Sequence, residues 1–157
     1  MEDMDKVIDM AGTLPHVKFV GLHFHIGSQI LDMGDFIALC NRVNELQDKL
    51  EARRILVEHI NVGGGLGIDY GHPNRQAIPN FKDYFSTYAG QLKLRPYQTL
   101  HFELGRAVVG QCGSLISKVL YVKQGAKKKF AILDAGMTDL IRPRFISGIP
   151  QNGKHHF

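Results

Sequence analysis

Three stretches of the chain each run an apolar strand into polar, glycine-bearing sequence at its C-terminal end. They are Val17–Gln29 (VKFVGLHFHIGSQ), Ile55–Tyr70 (ILVEHINVGGGLGIDY) and Thr99–Val108 (TLHFELGRAV). A strand, a reactive side chain at its tip and a glycine-bearing anion loop is how a parallel α/β barrel builds a site for a phosphate-bearing cofactor. The repetition therefore constrains both the fold and the place where chemistry can occur.

The segments between the strands agree. Val17–His25, Ile55–Val62 and Gln98–Glu103 read as strands. Asp35–Arg54 reads as a helix with Phe36, Leu39, Val43, Leu46 and Leu50 on one stripe and Asp35 as its cap. Phe81–Leu94 reads as a second helix, and Met1–Ala11 as another with Met4, Val7, Ile8 and Ala11 on its apolar side. Strand–helix–strand–helix–strand predicts a parallel sheet with crossover helices. A complete eight-unit barrel typically takes about 250 residues, so 157 residues hold only part of one. Residues 113–122 and 129–134 read as two further strands joined by a basic turn at Gly125.

Composition excludes several classes. A net charge of +4, from 19 basic and 15 acidic residues, is too mild for a nucleic-acid binder. The one basic run, Lys127–Lys129, reads as a solvated turn. Cys40 and Cys112 are too few for a disulfide framework and lack metal-ligand spacing, which suits buried thiols in a reducing cytosol. No stretch is long and apolar enough for a membrane span. The acidic, helix-like MEDMDKVIDM is not a signal peptide.

The strand ends carry the chemistry. His23 and His25 lie two apart, so on a strand they share a face, and an H-x-H pair can bind a divalent metal. His59 and His101 also lie near strand ends. The following Ile26-Gly27-Ser28-Gln29 instead offers backbone N–H groups and a hydroxyl, which suit a phosphate. In Gly63-Gly64-Gly65-Leu66-Gly67 the dinucleotide fingerprint G-x-G-x-x-G fails, because Ile68 stands where its last glycine belongs. A phosphate nest or a tight barrel turn remains. Glu103, at the tip of an apolar strand, needs a cationic partner. A protonated ring nitrogen or Arg106 would serve. Arg106 suits a phosphate or a substrate carboxylate.

Taken together, HFHIGSQ, NVGGGLG, F-E-x-G-R and DAGM-x-DLIRP, in that order from Val17 to Pro143, resemble the diaminopimelate decarboxylases. These are pyridoxal-phosphate enzymes of the alanine-racemase-like barrel class, fold type III. The resemblance implies a partial (β/α)8 TIM barrel over residues 1–112. Residues 113–143 would cross toward a C-terminal β-domain. It implies pyridoxal 5'-phosphate as cofactor, with His25 stacked on the ring, Ser28 and Gly63, Gly64 and Gly65 at the phosphate, and Glu103 at the ring nitrogen. Gly105 and Arg106 belong to the same cofactor motif. Arg106 and Arg142 would bind substrate carboxylates, and no metal is implied. The implied reaction converts meso-2,6-diaminopimelate to L-lysine and CO2 in the cytoplasm, in a homodimer.

Departures from the family pattern qualify these expectations. Leu104 stands where the family usually has Pro, which changes backbone stiffness and not charge. The family's cofactor lysine precedes the first segment seen here. Lys18, at the start of its strand, and Lys127–Lys129, in a turn, are poor substitutes. Cys40 and Cys112 do not lie in the family's catalytic-cysteine motif. The chain alone is therefore expected to be inactive, and a partial barrel with open sheet edges is expected to be aggregation-prone. Residues 144–157 (RFISGIPQNGKHHF) show no strand or helix period. The family's usual A-L-Y-Q-A-Y-H-K, with one base inserted before a compatible choice of codons, translates to Arg144 through Gln151. The expectation is a one-base frameshift after Pro143, checked by sequencing the encoding DNA. Two other readings are a decarboxylase of ornithine, arginine or carboxynorspermidine, and a metal-dependent hydrolase using His23 and His25.

Overall fold

The computed structural model describes residues 2–72, 75 and 78–141. Arg142 and the 144–157 tail lie outside the described residues. The chain divides into two units, Met1–Gly113 and Ser114–Phe157.

The first unit contains α1 (Glu2–Thr13), β1 (Gly21–His23), α2 (Met33–Ala52), β2 (His59–Asn61), α3 (Phe81–Gln91), β3 (Thr99–His101) and a short α4 (Gly105–Val109). The strands form one parallel sheet in the order β1-β2-β3, with Leu22, Ile60 and Leu100 in register. Helices α2 and α3 are the crossovers. This is the partial parallel α/β architecture that the strand–helix alternation predicts.

The two faces of the sheet differ in chemistry. Leu22 and Ile60 are buried, and Leu100 packs against the same core. The alternate positions, His23, His59, Asn61 and His101, are polar and face the other way, as strand periodicity requires. In a closed barrel of such strands, the corresponding face is the one turned inward.

Helix α2 buries Phe36, Leu39, Cys40, Val43, Leu46 and Leu50. Its i, i+3, i+4 spacing makes one wide stripe. Phe36 meets Tyr84 of α3 edge-on, with ring centroids 4.9 Å apart, and Tyr88 and Phe102 extend the aromatic cluster. Burial pushes the Cys40 thiol up to about 11, so it packs as a neutral group. Asn44, buried on α2, donates to the Gln91 carbonyl and accepts from Lys93 N–H, both at 2.8 Å. It thereby satisfies the backbone where α3 ends.

Several boundaries differ from the sequence expectation. The N-cap of α2 is Asp32, whose side chain accepts from Gly34 N–H at 2.8 Å, and Asp35 lies in the first turn. The same helix ends in a Schellman turn: Ile55 N–H reaches Leu50 O and Arg54 N–H reaches Glu51 O, with Arg54 at φ 59°. In α1, Ile8 is buried but Val7 is 63% exposed, so the apolar stripe is narrower than its spacing suggests. Helix α3 ends at Gln91 rather than continuing to Leu94. Each strand is only three residues long. β1 and β3 each pair on one side only, and past the regular strands single backbone bonds, Phe24 N–H to Asn61 O and Val62 N–H to His101 O, continue the pairing.

The second unit is an antiparallel hairpin of β4 (Val119–Gln124) and β5 (Lys129–Leu133). Gly125 N–H closes its turn on Lys128 O at 2.9 Å. The first strand begins at Val119 and not at 113, with a pairing irregularity between Val119 and Tyr121. Asp134 closes the open end by accepting from Lys118 N–H at 2.8 Å.

Candidate functional site

All three glycine-bearing segments meet at the C-terminal ends of β1, β2 and β3. The contacts that join them are mainly backbone. Phe24 N–H reaches Asn61 O at 2.8 Å, Val62 N–H reaches His101 O at 3.1 Å, and Glu103 N–H reaches Gly63 O at 2.8 Å. The loop after β1 is stitched to the glycine loop as well: Ile30 N–H donates to Gly65 O at 2.8 Å and Gly67 N–H to Ile30 O at 2.9 Å.

This close approach explains why glycines stand here. Gly63 has φ 71°, and a Cβ on it would lie 2.3 Å from Phe24 O and 3.1 Å from His25 Nδ1. A Cβ on Gly64 would lie 2.0 Å from Glu103 O. Neither position admits a side chain. The tight barrel turn and the phosphate nest are thus not alternatives. The glycines let three backbones converge, and convergence leaves the amides of Gly64 and Gly65 with no acceptor among the described residues. Gly64 is buried. An orphaned buried N–H is costly unless a ligand accepts from it, and a phosphate oxygen is a suitable acceptor.

The side chains around this loop fall into two groups. Glu103 is half-exposed, and its Oε1 accepts from Asn61 Nδ2 at 2.8 Å with His23 Nε2 3.3 Å away. His25 lies beyond the end of β1, exposed, with its ring against Gly63. Ser28 is exposed on the same loop. Arg106 does not pair with Glu103. It donates to Gln29 Oε1 at 3.3 Å, and its guanidinium lies 5.9 Å from the centroid of the Tyr70 ring. Gln29, at φ 62°, also bonds both the amide and the carbonyl of Ile68. A Cβ on Gly105 would meet open space, so packing does not require a glycine there.

Sequence reading missed Asn61 and Gln29. The available signal was position: Asn61 stands two residues before Gly63 at a strand tip, and its Oδ1 accepts from Gly63 N–H at 2.8 Å. Lys18 pairs with Glu58 at 3.0 Å, before β1 and β2 begin and therefore at the opposite end of the sheet.

The metal reading separates into unrelated contacts. His23 faces Glu103 while His25 packs on Gly63. His59 and His101 contact each other at 3.0 Å. Among the described residues no group of three or more His, Cys, Asp or Glu side chains is placed to hold a metal ion.

A three-stranded parallel sheet that brings a glycine loop and a carboxylate to adjacent strand tips is the architecture of a partial α/β barrel. The chain belongs to the pyridoxal-dependent decarboxylases: the family model of their pyridoxal binding domain matches residues 1–110. Within that family it is 90% identical over 143 residues to a diaminopimelate decarboxylase of Bacteroides thetaiotaomicron, covering 91% of this chain and 37% of that protein. It is 36% identical over 138 residues to the Haemophilus influenzae diaminopimelate decarboxylase, covering 88% of this chain and 32% of that one. Among solved structures, diaminopimelate decarboxylase from Helicobacter pylori complexed with L-lysine superposes with a TM-score of 0.74 at 32% identity, covering 92% of this chain and 35% of that one. A protein of Aquifex aeolicus gives a TM-score of 0.77 at 34% identity, covering 99% and 36%. The chain thus spans about a third of the length of the relatives it matches.

Proposed function

We propose that these residues form part of the cofactor site of a cytoplasmic, homodimeric decarboxylase that converts meso-2,6-diaminopimelate to L-lysine and CO2. One observation carries the reading. A carboxylate, Glu103, is locked by its own backbone to a glycine loop whose amides at Gly64 and Gly65 await an anion. That pairing fits a ligand with a phosphate at one end and a cationic ring nitrogen at the other, and pyridoxal phosphate is such a ligand. The 90% identity to a diaminopimelate decarboxylase supports the choice of substrate.

Bound pyridoxal phosphate supplies an electron sink for the pair left when a carboxylate departs as CO2. The residues of this chain prepare that sink. Glu103 keeps a proton on the ring nitrogen by placing a negative charge beside it. The Gly63–Gly65 loop and Ser28 hold the phosphate, and His25 covers one face of the ring. Arg106, with Gly105 before it, approaches from the β3 side to bind phosphate or a substrate carboxylate. Arg142 binds a second carboxylate. Lys18 is not placed to attach the cofactor, since it pairs with Glu58 at the far end of the sheet.

The test is a graft. Residues 1–141 replace the matching stretch of the Bacteroides enzyme, and CO2 release from diaminopimelate, ornithine and arginine is measured. Retained turnover with diaminopimelate preferred is the expected result. Lost turnover in a folded graft, or preference for another substrate, would overturn the proposal. The 157-residue chain alone is expected to release no CO2 beyond that from free cofactor.

A further inference from the structure

Glu103 is held more firmly than its exposed place at a strand tip suggests. Both of its side-chain contacts fall on one oxygen: Asn61 Nδ2 at 2.8 Å and His23 Nε2 at 3.3 Å, each to Oε1. Oε2 has no partner among the described residues. The orientation of Asn61 is itself determined. Gly63 N–H can only donate, and it lies 2.8 Å from Oδ1, so the amide nitrogen is the end facing Glu103. Asn61 therefore links the glycine loop to the carboxylate through its side chain, beside the backbone bond from Glu103 N–H to Gly63 O.

We propose that Asn61 and His23 are positioning residues for Glu103: they hold Oε1, so that Oε2 is the oxygen presented to the cofactor's ring nitrogen. Asn61 further fixes that oxygen relative to the loop that takes the phosphate. The physical reason is geometric. The covalent frame of pyridoxal phosphate sets the distance from phosphate to ring nitrogen. A site whose two anchors are already held at a fixed separation loses little freedom on binding. A carboxylate free to rotate would give up that advantage, and the charge-assisted hydrogen bond from Asn61 Nδ2 to Oε1 opposes rotation. His23, on β1, adds a second contact to Oε1, at 3.3 Å. The inference rests on the pyridoxal phosphate reading above.

The experiment measures pyridoxal phosphate affinity of the full 157-residue chain by equilibrium dialysis. It compares wild type, N61A, H23A, E103A and the N61A/E103A double variant. N61A is expected to weaken binding on the order of 10–100-fold, by analogy with the loss seen when a group orienting a metal ligand is removed. In the E103A background the same change should have little effect, because the residue it positions is gone. The bound cofactor's absorbance should also show the ring nitrogen losing its proton at lower pH in N61A than in wild type. H23A should act in the same direction but less, since its contact is longer. His23 takes no part in capping the glycine loop, so H23A keeps the test open if N61A does not fold. Equal weakening by N61A with and without Glu103 would overturn the proposal, and so would unchanged affinity in folded N61A and H23A. A wild-type chain that retains no pyridoxal phosphate would instead sink the cofactor reading, and this inference with it.

Discussion

Gly64→Ala is expected to cost about 3 kcal/mol of folding stability, the upper end for forcing extra volume into a packed site. It should also weaken pyridoxal phosphate binding on the order of 100-fold, equivalent to about 2.7 kcal/mol. The new Cβ would lie 2.0 Å from Glu103 O and 3.0 Å from Glu103 C. Both are backbone atoms, so no rotamer change relieves the contact. Either the glycine loop or the β3 tip must move, and each movement separates the Gly64 and Gly65 amides from the Glu103 carboxylate. Gly105→Ala is the control. Its Cβ meets nothing within 4 Å and it opens a helix, so folding should be unchanged or improved by up to about 1 kcal/mol. If Gly105 serves the cofactor by letting backbone approach it, Gly105→Ala will weaken binding without loss of stability. Urea unfolding and equilibrium dialysis on the same preparations separate the two effects.

The second large effect lies in the core. Phe36→Ala should destabilise the first unit by about 3–5 kcal/mol, the usual cost of emptying a buried aromatic site. Phe36 is fully buried and packs edge-on against Tyr84, with Tyr88 at 6.2 Å. It therefore joins α2 to α3, and neither helix can collapse into the gap without breaking the Asn44 bonds that tie α2 to the end of α3. Ile37→Ala, one position along and 37% exposed, should cost under about 1 kcal/mol. Denaturant midpoints of the two variants check the difference. Equal midpoints would mean that the helix layer does not carry the unit's stability.

The helix layer was legible in the sequence because its signal is local. The spacing of Phe36, Leu39, Val43, Leu46 and Leu50 predicts one buried stripe, and all five are buried. The cap was harder. Asp32 and Asp35 both precede apolar periodicity, and only the extended backbone at Asp32, with φ −91° and ψ 120°, identifies it as the residue outside the helix. The strands are shorter than the apolar runs predict, because the regular ladder depends on register with neighbours distant in sequence, and all three, β2 with a neighbour on each side included, keep only three residues.

At the strand tips, residue type and loop position were enough to single out His25, Ser28, the glycines, Glu103 and Arg106. The residues that orient them were not visible. Asn61 meets Glu103 across 42 positions of sequence, and Gln29 meets Ile68 across 39. Those pairs exist only once parallel strands set the register. The same register shows that Glu103 and Arg106, three apart and readily imagined as an ion pair, turn to different partners.

The central claim is that three strand tips of this chain form one pyridoxal phosphate site. Its most direct test is a titration of the 157-residue chain with pyridoxal phosphate, pyridoxal without the phosphate, and inorganic phosphate. Saturable one-to-one binding of pyridoxal phosphate is the expected result. Omitting the phosphate, or changing Glu103→Ala, should each weaken it at least about 10-fold, or about 1.4 kcal/mol. Inorganic phosphate should compete. Binding that does not saturate, or that is indifferent to both the phosphate and Glu103, would contradict it.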